Sequence, residues 1–343
     1  MRSTKIKKIL IAVFLVAIFA SVAFTFLNKN KTPVKELSRR EQIKKELIEK
    51  MLEDPKQTFS LYRKILESEP INHNECHGMV HEVGHEAFEI FGFDKAMEYQ
   101  DGLCGSGYIH GVIEAKFGYL DTKNILNELS TICTDNKSAC FHGVGHGLMI
   151  VNDLDITKSL EYCDKLTKIG QKNCYEGVWM HQFDLEETGA RPENIMSTSS
   201  DIGKFGQDNE SLCRNTSNKY KTSCYFYLPR IYAHVVEEPL FNLESLCGMI
   251  KINEYRVTCL VGTGHMFMKY HMANPITALR KCEQFKNIDW HASCKEGGVM
   301  YYLFDRTSSL ENKIDNKNIC QIFTDKRDKN ICTFVAWERF GIK

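Results

Sequence analysis

Seven of the twelve histidines fall between His77 and His181, and most of them occupy a recurring glycine-rich frame. His81-Glu-Val-Gly-His85 and His142-Gly-Val-Gly-His146 each place two imidazoles at i and i+4. On a helix those positions share one face, so both rings can grip a single metal ion. His110 and His265 fill the final slot of the same frame in their own segments. Met180 and Met300 fill it elsewhere, with Glu176 and Glu296 four residues before them. Stacked in register, these slots would form a stripe of His, Glu and Met along one surface. The expected metal ligands are His81, His85, His110, His142 and His146. Glu82, Glu176 and Glu296 are the candidate general bases, and His77, Glu114, His181, Arg230 and His265 are further candidates for a shared cavity. Arg230 follows Pro229 in the His/Met slot, where it would bind an anionic group or pair with Glu237 or Glu238. Zinc suits a His/Glu set, and copper suits His with Met in an oxidising compartment; haem is the remaining alternative. The rival reading of each His is a packing residue hydrogen-bonded to a neighbouring turn.

His81 to His85 also resembles the HExxH motif of zincin metallopeptidases over five residues. That resemblance implies His81 and His85 as zinc ligands, Glu82 as general base, and a third ligand, for which Glu114 is the nearest candidate. The Val-Gly-His of this motif recurs at His146 without the glutamate, which marks HEVGH as one copy of a repeated slot.

The elements that must position these residues are announced by cysteine. Of the fourteen cysteines, seven open copies of the frame, at Cys104, Cys140, Cys174, Cys224, Cys259, Cys294 and Cys332, with a related segment at Cys76. Successive units lie mostly 34 to 38 residues apart, a period that marks stacked supersecondary units. Each later cysteine opens a helix, and an earlier one closes the amphipathic helix before it. Their spacing predicts Cys133–Cys140, Cys163–Cys174, Cys213–Cys224, Cys247–Cys259, Cys282–Cys294 and Cys320–Cys332, leaving Cys76–Cys104 to join the first two units. The expected fold is all-α, an array of seven to eight disulfide-stapled helical hairpins over residues 55–343, closed into an α/α toroid or left as an open superhelix. Repeated glycine inside helices costs about 1 kcal/mol per position and implies close backbone packing or room for a ligand. In this the chain is reminiscent of α/α-toroid enzymes such as lanthionine cyclases, an architectural likeness only, because those bind zinc through cysteines that here are assigned to disulfides. The aromatic runs Tyr225–Tyr227 and Met300–Phe304 could instead be strands.

Around this array, residues 1–8 are basic and residues 9–27 are an uncharged run. As a helix that run spans roughly 28 Å, close to the ~30 Å hydrocarbon core. It is expected to be a signal anchor, with the protein secreted if the segment is cleaved. Residues 28–54 read as a linker and charged helix, and 187–210 as a longer insertion between repeats. An even cysteine count without any Cys-x-x-Cys pair points outside the cytoplasm. The net charge of zero gives no electrostatic footprint for nucleic acid. The expected partners are the membrane, through the N-terminal helix, and a protein or glycan. Three function classes stay open: a metal-binding protein or metal-dependent enzyme, a non-catalytic repeat scaffold, and a zincin-type peptidase.

Overall fold

The computed structural model describes residues 37–69, 75–120, 124–129, 131–133, 138–183, 199–232, 240–308 and 316–342. Every regular element among them is helical. Helix α1 spans Arg39–Glu53. It opens on a capping box, in which the Ser38 N–H donates to Glu41 Oε2 at 2.7 Å and the Glu41 N–H donates to Ser38 Oγ at 3.3 Å. Lys45 closes one compact unit, and residues 46–343 make up the other, to which everything below belongs.

In that unit follow α2 (Pro55–Ser68), α3 (Cys76–Phe91), α4 (Phe93–Glu98), α5 (Leu103–Gly118), α6 (Ile125–Leu129), α7 (Ser138–Val151), α8 (Ile156–Cys163), α9 (Lys168–Phe183) and α10 (Ser199–Asn215). Then come α11 (Asn218–Tyr227), which runs on as the 3-10 turn Leu228–Tyr232, α12 (Leu240–Met249), α13 (Asn253–Lys269), α14 (Pro275–Cys282), α15 (His291–Ser308) and α16 (Lys326–Phe340).

Two helix types alternate. The short helices α8 and α14 are amphipathic and capped at their starts. Asp155 accepts from the Lys158 N–H, Asn274 accepts from the Thr277 N–H, and Pro275 takes the first turn, where its missing N–H does no harm. The longer α5 and α7 are buried on almost every side, as helices apolar all round must be. The long helices pack in sequence: α3 on α5, α5 on α7, α7 on α9, α9 on α11, α11 on α13, and α13 on α15. Helix α15 also packs on α5.

All fourteen cysteines lie in the seven pairs that their spacing suggests, with Cα–Cα distances of 5.5 to 5.8 Å. Four pairs clamp the end of one helix to the first turns of the next, as Cys163 at the end of α8 joins Cys174 in α9. Seven such pairs fit an oxidising, extracellular environment.

Both aromatic runs are helical, in α11 and α15. A short buried apolar run carries no period that separates strand from helix, and here the flanking helix packing decides. Residues 199–210 of the expected insertion form the first turns of α10, while 187–198 lie outside the described residues. The expected anchor at 9–27 also lies outside them. Among the described residues no helix is long and apolar enough to cross a membrane.

Candidate metal centre

Four helices bring the histidines together. Helix α3 carries His77, His81 and His85 at successive i+4 steps; α5 carries His110 and Glu114; α7 carries His142 and His146; and α9 carries Met180 and His181. Glycine sets how closely these helices approach. A Cβ on Gly111 would lie 2.0 Å from the His81 carbonyl oxygen, and one on Gly84 would lie 2.3 Å from that of Tyr108. The same reciprocal contact joins α7 to α9, where a Cβ on Gly177 would meet the His142 carbonyl at 2.0 Å and one on Gly145 the Cys174 carbonyl at 2.3 Å. Backbone thus rests on backbone beside each ligand, and rings on neighbouring helices meet.

The rings form a continuous row. His110 stacks on His142 and His146, with centroids 4.9 and 5.3 Å apart, and His77 lies 5.3 Å from His110. His81 and His85 are 5.0 Å apart, as are His142 and His146. Glu114 sits among them, 3% exposed. Its Oε2 lies 3.2 Å from His81 Nε2 and 3.1 Å from His85 Nε2. Its Oε1 lies 3.4 Å from His146 Nδ1 and 3.9 Å from His181 Nδ1. Burial pushes the Glu114 carboxyl up, but His81, His85 and His146 outweigh it and hold the group well below the usual carboxylate range.

One cavity histidine is oriented by unusual backbone. Cys104, Gly105 and Ser106 all adopt left-handed angles at the start of α5, with φ of 56°, 67° and 64°. For Cys104 and Ser106 that conformation costs roughly 1–2 kcal/mol each. It turns the Cys104 carbonyl to accept from His77 Nδ1 at 2.7 Å. The hydrogen bond fixes the tautomer and leaves Nε2 as the basic nitrogen of His77.

Three groups have ligand atoms that all lie within 4.8 Å of one another: His110/His142/His146, His81/His85/Glu114, and Glu114/His146/His181. Each could hold a metal ion. The five expected ligands therefore divide between two groups. Glu114 joins His81 and His85, and it also reaches the other side. His181 stands with Glu114 and His146 in the third group, a place that its position outside the i,i+4 pairs did not signal. Glu82, in α3, is half-buried and belongs to none of the three groups.

Next to the first group lies a cavity of about 520 Å3. His77, His110, His142, Arg230 and His265 all line it, as do Glu176 and Glu296. Met180 lines it as well, with its Sδ 3.2 Å from His142 Nε2. Burial raises the Glu176 carboxyl to about 7, against a smaller opposing effect from Lys172. Glu296 instead faces Arg339 at 3.4 Å. Arg230 is buried over the Tyr227 ring at 4.9 Å; Glu237 and Glu238, its expected ion-pair partners, lie outside the described residues. Burial and the charges of Arg230 and Lys269 press His265 well below the ordinary histidine range, so it is neutral. Sequence reasoning did not find Lys269 or Tyr301 on this wall. Tyr301 follows Met300 directly, so the neighbours of each slot carry a signal as well as the slot itself.

No protein-family model matches the chain, and no curated protein or solved structure matches it.

Proposed function

We infer that the protein is a membrane-anchored, extracytoplasmic metalloenzyme that binds zinc or copper at His110, His142 and His146 and acts on a small molecule in the adjoining cavity. The observation that carries this reading is the convergence of three imidazoles from α5 and α7, two of them lining the cavity. Three histidines with room on one side make a catalytic ligand set, whereas structural zinc sites are closed by a fourth protein ligand. The thioether of Met180 beside His142 favours copper over zinc. The packing of α15 on α5 supports a closed α/α toroid over an open superhelix, with the cavity enclosed by the long helices.

The bound ion would supply Lewis acidity at the cavity wall. Glu176 is the proton-transfer group, because a carboxyl titrating at about 7 both takes and returns a proton near neutral pH. Arg230 offers a fixed positive charge for orienting a substrate. Metal analysis of the full-length protein in detergent tests the reading. The wild type should hold zinc or copper, and His142→Ala should lose that ion. Metal-free protein whose melting temperature ignores both ions would overturn it and leave the scaffold that binds a protein or glycan. Fractionation tests the anchor: full-length protein should sediment with membranes.

The convergence of His81, His85 and Glu114 favours a second reading, a zincin-type peptidase with Glu82 as base. Against it, His110 and His142 line the cavity while His81 and His85 do not. Proteolysis abolished by Glu82→Gln and untouched by His142→Ala would establish the second reading over the first.

A further inference from the structure

We propose that Glu114 is a bridging carboxylate for a pair of divalent metal ions, one held by His81 and His85 and the other by His146 and His181. This pair is distinct from the ion at the cavity wall and shares only His146 with it.

The two oxygens of Glu114 face different imidazole pairs. Oε2 meets the Nε2 atoms of His81 and His85 at 3.2 and 3.1 Å, and Oε1 meets the Nδ1 atoms of His146 and His181 at 3.4 and 3.9 Å. Between the two nitrogens of the second pair the distance is 3.4 Å. Ligand atoms on one tetrahedral ion with bonds of about 2.1 Å stand about 3.4 Å apart, close to all of these separations except the longer one from His181 to Glu114. A carboxylate that gives one oxygen to each ion holds them at the ~3.5–4 Å of two-metal sites.

The chain builds for this arrangement. Glu114 lies one helical turn after His110, on the face of α5 that the glycine contact presses onto α3, so its carboxylate enters the histidine row from the side. Each ion gains two imidazoles and half of the Glu114 charge, a borderline donor set suited to zinc, copper or cobalt; where the cavity ion is bound as well, His146 gives up its ring proton and serves both ions as an imidazolate. Access differs at the two ends. His146 and His181 are 0% and 3% exposed, while the His85 side chain is 42% exposed. The ions therefore load from the His85 side, and the His146/His181 position fills through it.

The competing explanation is that Glu114 simply accepts N–H bonds from four imidazoles. Copper(II) separates the two, because adjacent ions couple magnetically and an isolated ion does not. Full-length protein in detergent is stripped of metal, loaded with copper(II), and read by metal content and electron paramagnetic resonance. The wild type should show a spin-coupled pair with a half-field signal. Glu114→Gln should abolish that signal and bind two fewer ions. His85→Ala, at a half-open position that leaves the core intact and made on the His142→Ala background so that no cavity ion couples through His146, should abolish it and bind one fewer than His142→Ala alone, so the test stands even where Glu114→Gln fails to fold. In His142→Ala the coupled signal should persist. Wild type without a coupled signal, or a coupled signal that survives Glu114→Gln, or His85→Ala on the His142→Ala background, overturns the bridge. A single ion lost in His142→Ala and retained in Glu114→Gln would overturn the bridge while keeping the cavity site; a coupled signal with no ion dependent on His142 would do the reverse.

Discussion

Gly111→Ala and Gly78→Ala are the same chemical change on adjacent helices, and the structure gives them opposite signs. Gly78, in the first turn of α3, has nothing within 4 Å of an added Cβ. Alanine there gains helix propensity at no steric cost, a stabilisation of up to about 1 kcal/mol. At Gly111 the added Cβ would stand 2.0 Å from the His81 carbonyl oxygen. Carbon–oxygen contacts need about 3.3 Å, so α3 and α5 must part by more than about 1 Å. Forcing an extra methyl into such packing costs about 1–3 kcal/mol, which exceeds the propensity gain. In a domain of this size each kcal/mol moves the melting temperature by about 2–4 °C, so the two variants should differ by several degrees. The same displacement moves Glu114 relative to His81 and His85, where metal ligation tolerates only about 0.2 Å. Gly111→Ala should therefore weaken metal binding tenfold or more, while Gly78→Ala leaves it unchanged. Thermal melts without metal and titration with copper or zinc read the two effects separately. Equal melting temperatures, or unchanged metal affinity in Gly111→Ala, would refute the backbone-contact argument.

Three further predictions concern other parts of the fold. Glu176 has its carboxyl raised from 4.5 to about 7 in the folded protein, so the folded state binds more protons and stability falls as pH rises through that window; melts of wild type and Glu176→Gln should diverge between those pH values, and parallel profiles would contradict the assignment. Lys295, 2% exposed, donates to Asp328 at 2.6 Å and to the half-exposed Glu283 at 2.5 Å. Asp328→Ala leaves Lys295 only the half-exposed Glu283 and should cost about 1–3 kcal/mol, whereas Glu283→Ala, which keeps the buried pair, should cost under about 1 kcal/mol in urea denaturation. Replacing Cys282 and Cys294 together by alanine should cost about 2–3 kcal/mol, and peptide mapping of unreduced wild type should recover the two joined.

The staples were legible because Cys163/Cys174 and Cys282/Cys294 sit at hairpin spacing, which any antiparallel turn with a cysteine on each arm must show. The i,i+4 pairs at His81/His85 and His142/His146 were legible for the same reason, since helix geometry alone puts those residues on one face. Their division was not. Whether His81 meets His110 or Glu114 depends on how deeply Gly111 lets α5 settle on α3, and a one-dimensional pattern does not contain that depth. His181 was visible only as a cavity residue because its partner, Glu114, is 67 positions away in the chain. The strand alternative for Met300–Phe304 arose because a fully buried segment has no polar face to reveal its period.

The cysteines of this chain pair two by two in the order in which they occur. Six pairs close separations of 7 to 12 residues and the first closes 28. Fourteen thiols can pair in roughly 135,000 ways. For a chain that emerges amino-terminus first, nearly all of that number never arises. Each arriving sulfur finds one waiting thiol, and the bond that forms removes both from competition before the next appears. Oxidative maturation then runs like a zip fastener, with the correct outcome built into the order of arrival. Refolding the reduced, full-length chain all at once gives up that order, and scrambled products should dominate unless a disulfide isomerase is supplied.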